Sequence, residues 1–167
     1  RARPLTGSDA ARQKVRGLVC SILEAPADPA KIKADAAAMR EEMARHKPPA
    51  GPLDIKLGEG GLVDLEFAVH TLQLTTQIGL DPRLEVAVTA LVEKGLLDER
   101  TDPDLRLLSR MLVVLRLVGG KAMEPAEESH ALVATLGGFE SWAELLAAVD
   151  AARQRIAARW ASVKGSE

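Results

Sequence analysis

The stretch Leu53-Asp-Ile-Lys-Leu-Gly-Glu-Gly-Gly-Leu-Val-Asp-Leu-Glu-Phe67 decides how this chain folds. Two periods meet in it. Leu53, Ile55 and Leu57 alternate with Asp54 and Lys56, a strand-like spacing. Beyond the turn Gly58-Glu59-Gly60-Gly61, residues Leu62, Leu65, Val69, Leu72 and Thr76 recur at three and four, the stripe of a helix. Asp64 and Glu66 sit at i and i+2 within that stripe. On a strand they would share a face and converge on metal ions, as paired carboxylates do in two-metal enzymes. On a helix they point about 200° apart. They are then first-turn acids complementing the helix dipole, and neither is expected to bind a metal. Glu66 and His70 are spaced i, i+4 and suit a simple pair.

Working outward, the helical period dominates. Val15, Leu18, Val19, Ile22 and Leu23 mark a helix over Ala10 to Leu23, with Ser8 and Asp9 as caps and Pro26 beyond its end. Asp28-Pro29 opens a second helix carrying Ile32, Ala36, Met39, Arg40 and Met43, which stops before Pro48-Pro49. The third runs from Leu62 to Ile78 and ends at Gly79. Asp81-Pro82 opens a fourth, closed by Gly95, and Asp102-Pro103 a fifth, closed by Gly119-Gly120. Glu124-Pro125 starts a sixth, ending at Gly137-Gly138. Ser141-Trp142-Ala143-Glu144 reads as a capping box for a seventh, to about Ser162. The expected fold is all-α: a bundle of about seven helices with one short extended segment before a Gly-rich turn. It forms a single domain over 1–167: two leading helices (1–47), the extended segment and glycine loop (48–61), and the bundle proper (62–167). No fixed-period repeat interrupts it.

Composition narrows the function classes. The chain has 167 residues, 47% hydrophobic and 28% charged, which suits one globular core. A formal net charge of -2 lacks the basic footprint of a nucleic-acid binder. Aromatic residues at 2%, with no Tyr, argue against base-stacking platforms. One cysteine, Cys20, excludes a disulfide scaffold and fits a reducing, cytoplasmic compartment. No apolar run reaches membrane-spanning length, since Met111 to Val118 is broken by Arg116.

Few residues carry chemistry. Gly60 and Gly61 permit close backbone approach just before a helix N-terminus, where amides and the dipole favour anions. Lys56 adds a point charge. A phosphate or carboxylate suits this corner. So does a tight turn whose glycines let the preceding segment pack, and the local pattern alone favours the turn, because it is not a full phosphate-loop signature. His46, His70 and His130 lack metal-ligand spacing. Cys20 lies on an apolar face and reads as packing. Ser8 follows Gly7 without an Asp-x-Asp at a workable distance. The basic run Arg153 to Arg159 reads as a solvated helix face.

Asp54-Ile55-Lys56, Gly60-Gly61 and Asp64-Leu65-Glu66-Phe67 together resemble a motif of the bifunctional glutamine synthetase adenylyltransferase/adenylyl-removing enzyme family. The resemblance extends nearly end to end, through Arg1-Ala2-Arg3-Pro4 with Gly7, Met39-Arg40, Gly95-Leu96-Leu97 and Leu115-Arg116. It implies a large enzyme with two nucleotidyltransferase halves, each followed by a helical domain. One half removes AMP from a tyrosine of glutamine synthetase by phosphorolysis. The other transfers AMP to it from ATP with Mg²⁺, under control of glutamine and the PII signal protein. Asp64 resembles the adenylylating half, and the end at Ser166-Glu167 fits a true C-terminus. The chain then resembles the C-terminal helical domain of that half.

The resemblance implies catalytic carboxylates on an upstream nucleotidyltransferase sheet. The chain is accordingly expected to hold no catalytic or metal-binding residue of its own and to bind no cofactor tightly. Lys56, Gly60 and Gly61 become the candidate nucleotide-binding residues, facing the cleft of the neighbouring domain. Asp64 and Glu66 become loop-orienting residues that accept amide hydrogen bonds. Expected partners are the upstream nucleotidyltransferase domain, glutamine synthetase and the PII signal protein, with neither nucleic acid nor membrane. The alternatives are a docking or regulatory module for glutamine synthetase or PII with a purely structural glycine loop, and a free-standing helical adaptor.

Overall fold

The computed structural model describes residues 4–118 and 122–165, in seven α-helices and a single 3₁₀ turn. The helices are α1 (Asp9–Leu23), α2 (Pro29–His46), α3 (Leu62–Thr76), α4 (Leu84–Glu93), α5 (Thr101–Leu117), α6 (His130–Gly137) and α7 (Trp142–Lys164). The all-α expectation is met, with no strand among the described residues. The segments Arg1-Ala2-Arg3, Gly119-Gly120 and Ser166-Glu167 lie outside them.

α3 is the hub. It packs against α7, α2, α4 and α5, while α5, α6 and α7 close on one another. Its apolar stripe therefore becomes the floor of the core: Leu65 and Val69 are fully buried with Val88, Leu91, Leu108, Met111, Val133, Leu145 and Val149. A smaller cluster joins Ala68 of α3 to Trp160 and Val163 of α7, where the rings of Phe67 and Trp160 lie 5.7 Å apart at a tilt of 53°. No single described helix is long and apolar enough to cross a membrane.

Several helix ends differ from the sequence expectation, each because a side chain competes for backbone groups. Asp81-Pro82 precedes α4 rather than opening it: the Asp81 carboxylate accepts from the Arg83 amide at 2.8 Å, forming a turn, and the helix begins at Leu84. Asp98, not Asp102, accepts from the Arg100 amide at 2.7 Å ahead of α5, so Asp102 and Pro103 fall inside the first turn and Asp102 pairs with Arg106. Glu124-Pro125 starts no helix. The Pro125 carbonyl meets His130 Nε2 and Glu124 accepts from Trp142 Nε1, while the imidazole stacks on the indole at 4.5 Å. α6 begins only at His130, after the 3₁₀ turn Glu127–Ser129. α3 ends at Thr76, because the Thr75 and Thr76 hydroxyls bond back to carbonyls of Thr71 and Leu72 and Gln77 takes the left-handed conformation. Ser141 caps α7 as expected, its hydroxyl accepting from Glu144 N at 3.2 Å, but Glu144 reaches back to the Glu140 amide.

The largest difference is at 51–61. The alternating residues form no strand but a chain of turns. Asp54 is the reason, as its carboxylate collects the amides of residues on both sides of it and curls the backbone around itself. Ile55 still enters the core, at 1% exposure.

Truncating Leu108 of α5, which is fully buried in the main core, to Ala should cost about 2–5 kcal/mol. Leu132→Ala, at a site 55% exposed on α6, should stay within about 0.5 kcal/mol. Urea unfolding of the two variants measures the difference.

A candidate functional site at the glycine loop

The loop is built around Asp54. Its Oδ1 accepts from the amides of Lys56 (3.1 Å) and Leu57 (2.9 Å), and its Oδ2 from that of Ala50 (3.0 Å). Burial is the largest influence on this carboxyl and pushes its pKa up. The three amides and the nearby Arg153 guanidinium together outweigh it and hold the pKa below the ordinary carboxylate value. The loop then satisfies the start of α3, where Leu62 N donates to Ile55 O (3.0 Å) and Val63 N to Lys56 O (3.1 Å).

Asp64 ties three elements together. It is 3% exposed in the first turn of α3. Its Oδ2 accepts from Gly60 N at 2.6 Å, and its Oδ1 from Arg40 Nε of α2 at 2.6 Å. Arg40 Nη2 also reaches Leu57 O at 3.4 Å. The other glycine amide, Gly61 N, donates to Gly58 O at 2.9 Å. Both amides of the Gly60-Gly61 pair are thus committed within the chain.

The glycines are also pressed against α7. Gly60 has φ of +67°, and a Cβ there would overlap the Arg153 carbonyl. Arg153 grips the loop from α7, donating from Nε to Glu59 O (2.9 Å) and from Nη1 to Pro52 O (3.0 Å). The run Arg153 to Arg159 is therefore not the solvated face that its composition suggests. Arg155 forms a bidentate pair with Asp104 of α5 at 2.8 and 2.6 Å, and Arg159 donates to Leu96 O. Long side chains on α7 find carbonyls and carboxylates of elements far away in the sequence, which no local pattern announces.

The remaining candidates are dispersed. Lys56 is exposed at the outer edge of the loop. Glu66 is half-buried and lines a cleft of about 900 Å³ between α1 and α3, with Cys20 and His70. Glu66 also borders a second cleft with Arg83, Glu85 and Leu105, so it lies away from the loop and α2 that Asp64 meets. His70 Nδ1 lies 2.8 Å from Gln73 Oε1, and His46 Nε2 lies 2.6 Å from Glu42. Cys20 is exposed rather than packed, because α1 buries none of its residues. Among the described residues no cluster of His, Cys, Asp or Glu suits a metal ion. Asp64, the buried acid bonded to the Gly60 amide, has both oxygens engaged by donors, so this donor set does not fit Mg²⁺.

Residues 30–163 match a family model described as GlnD PII-uridylyltransferase. The chain is similar to a protein of Caulobacter vibrioides named bifunctional glutamine synthetase adenylyltransferase/adenylyl-removing enzyme, at 32% identity over 92% of this chain and 17% of the relative. Proteins of the same name from Xanthobacter autotrophicus (31% identity, 81% of this chain, 15% of the relative) and Mesorhizobium japonicum (41%, 50%, 8%) are also similar. The chain spans less than a fifth of the length of each.

Substitutions at Arg40, Asp64 and Asp54 test the local chemistry. Arg40→Ala leaves the Asp64 carboxylate buried and half-partnered, and should cost about 3–5 kcal/mol. Arg40→Ala with Asp64→Ala should cost less than the sum of the two single changes in a double-mutant cycle. Asp54→Asn tests the turn hub, since its amide nitrogen cannot accept from Ala50 N. A depressed folded pKa contributes stability that is present above the unfolded value of about 3.9 and is lost as pH falls through the folded value. The wild-type advantage over Asp54→Asn should therefore be full at neutral pH and shrink steadily in urea titrations below about pH 4.

Proposed function

The chain belongs to the nucleotidyltransferase family matched by the GlnD PII-uridylyltransferase model and the glutamine synthetase adenylyltransferases, and on that premise we propose that it is a non-catalytic helical part of an enzyme that transfers AMP from ATP to a tyrosine of glutamine synthetase. In that reaction the tyrosine oxygen attacks the α-phosphorus, the bond to the bridging oxygen breaks, and pyrophosphate leaves. Such a displacement depends on metal-held phosphates and an aligned hydroxyl. Mg²⁺ and ATP belong, in this reading, to a nucleotidyltransferase domain elsewhere in the same polypeptide.

The observation that carries the reading is the state of the glycine loop. It is held from three sides by Asp64 with Arg40, by Asp54 and by Arg153, and the exposed Lys56 side chain stands outside that clamp although its backbone is held by it. A rigid support with one outward ammonium is suited to completing the rim of a neighbouring cleft. There Lys56 acts as a point charge toward phosphate oxygens. Gly60 and Gly61 then serve nucleotide binding by fixing where Lys56 stands, and Asp64 serves by fixing the loop. Glutamine synthetase and PII are the protein partners of the whole enzyme, with the compartment cytoplasmic.

Lys56→Ala in the full-length enzyme provides the test. AMP transfer to glutamine synthetase should fall at least about ten-fold, corresponding to about 1.4 kcal/mol of lost transition-state stabilisation, while the melting temperature moves by less than about 2 °C. Unchanged transfer with lost binding of glutamine synthetase or PII would instead make the chain a docking module. Parallel loss of transfer and melting temperature would make Lys56 structural.

A further inference from the structure

α1 leaves an apolar face uncovered. Ala11, Val15, Leu18 and Ile22 recur at helical spacing, and the last three are 43%, 60% and 64% exposed. The adjoining flank of the helix, through Val19 and Leu23, is half-buried and lines the cleft toward α3. α1 has no buried residue and forms no substantial pairing with another described helix. A helix of 15 residues with Gly17 near its middle is marginal in water without tertiary support.

We propose that the Val15–Leu18–Ile22 face of α1 docks on the nucleotidyltransferase part of the same, longer polypeptide. The inference rests on the reading above for the nature of that part. The similar Caulobacter protein has more than four-fifths of its length outside the matched region, so a covalently linked occupant is at hand. Size favours it over a second copy. A stable dimer between free chains needs about 1,200 Å² or more of buried surface. One three-residue stripe supplies only part of that, whereas a tethered neighbour works at an effective concentration that makes a small apolar patch sufficient. The stripe also explains a misleading sequence signal: α1 has the pattern of a core helix, yet its core is shared with another domain.

The test uses the full-length protein with Leu18→benzoylphenylalanine, Ile22→benzoylphenylalanine, or Leu132→benzoylphenylalanine as an exposed control on α6. After irradiation, positions 18 and 22 should crosslink to peptides of the nucleotidyltransferase part of the same molecule, at a yield at least ten times that of position 132. Crosslinks to a second copy, to added glutamine synthetase or PII, or to residues of this chain overturn the proposal, as does the absence of any crosslink above the control. As a second measurement, Leu18→Asp with Ile22→Asp should speed hydrogen exchange of the α1 amides at least ten-fold in the full-length protein. Unchanged exchange overturns it equally. AMP transfer by the unmodified protein is assayed separately. An active-part crosslink without AMP transfer removes the glutamine synthetase reading and leaves the surface in place.

Discussion

One carboxylate holds the architecture around the glycine loop. Asp64 is almost wholly buried and has two partners of different kinds, a guanidinium on α2 and a backbone amide at Gly60. A buried carboxylate without donors would be costly. With both oxygens engaged it becomes a fixed joint instead. α2 contributes no buried apolar residue of its own, so its attachment to α3 depends heavily on this joint and on half-buried side chains such as Ala36. The same interaction consumes one amide that a phosphate-binding loop would offer.

The glycines answer to the same constraint from the other side. Because α7 runs directly against the loop, there is no room for a Cβ at residue 60, and the loop's own fold leaves none at Gly61, where one would lie 2.7 Å from the Ile55 carbonyl. Close approach is then exploited, since Arg153 can reach two loop carbonyls only if the backbone is that near. The glycine cluster therefore lets the loop backbone pack directly on α7. A loop fixed by an ion pair, a carboxylate hub and an arginine clamp has little freedom to close over a ligand by itself. Movement relative to a substrate would have to come from the domain as a body.

Helices with a strong apolar period were legible in the sequence, because burial on one face leaves a stripe that spacing reveals. The stripe through Leu62, Leu65 and Val69 placed the hub, and it gave the divergence of Asp64 and Glu66. Helix starts were less legible. Asp81 and Asp102 carry the same Asp-Pro signal as Asp28, but only Asp28 caps where the signal says, its carboxylate accepting from Ala30 N at 2.9 Å. The other two lost to nearby competitors, Arg83 and Asp98. The strand-like alternation at 53–57 failed because alternation records which side chains are buried and not how the backbone is bonded. Asp54 in its midst could satisfy three amides locally, which a lone strand could not.

The partners of the clamp lay beyond local reading for a physical reason. Arg40 and Asp64 are 24 residues apart, and Arg153 and Glu59 are 94 apart. Their spacing follows from how α2 and α7 cross α3, which side-chain chemistry alone does not specify. A solvated arginine and a clamping one have the same sequence signature, since both keep apolar stems against the helix and a charged head away from it. What separates them is whether a carbonyl or carboxylate of another element waits at the right distance. Here α7 provides that for Arg153, Arg155 and Arg159 in turn, meeting the glycine loop, α5 and the α4–α5 connection. A helix that fixes three elements through arginines flanking its buried stripe of Leu145, Val149 and Ile156 makes the bundle one rigid support. α1 stands outside that network, which is why the surface it presents can belong to a neighbour.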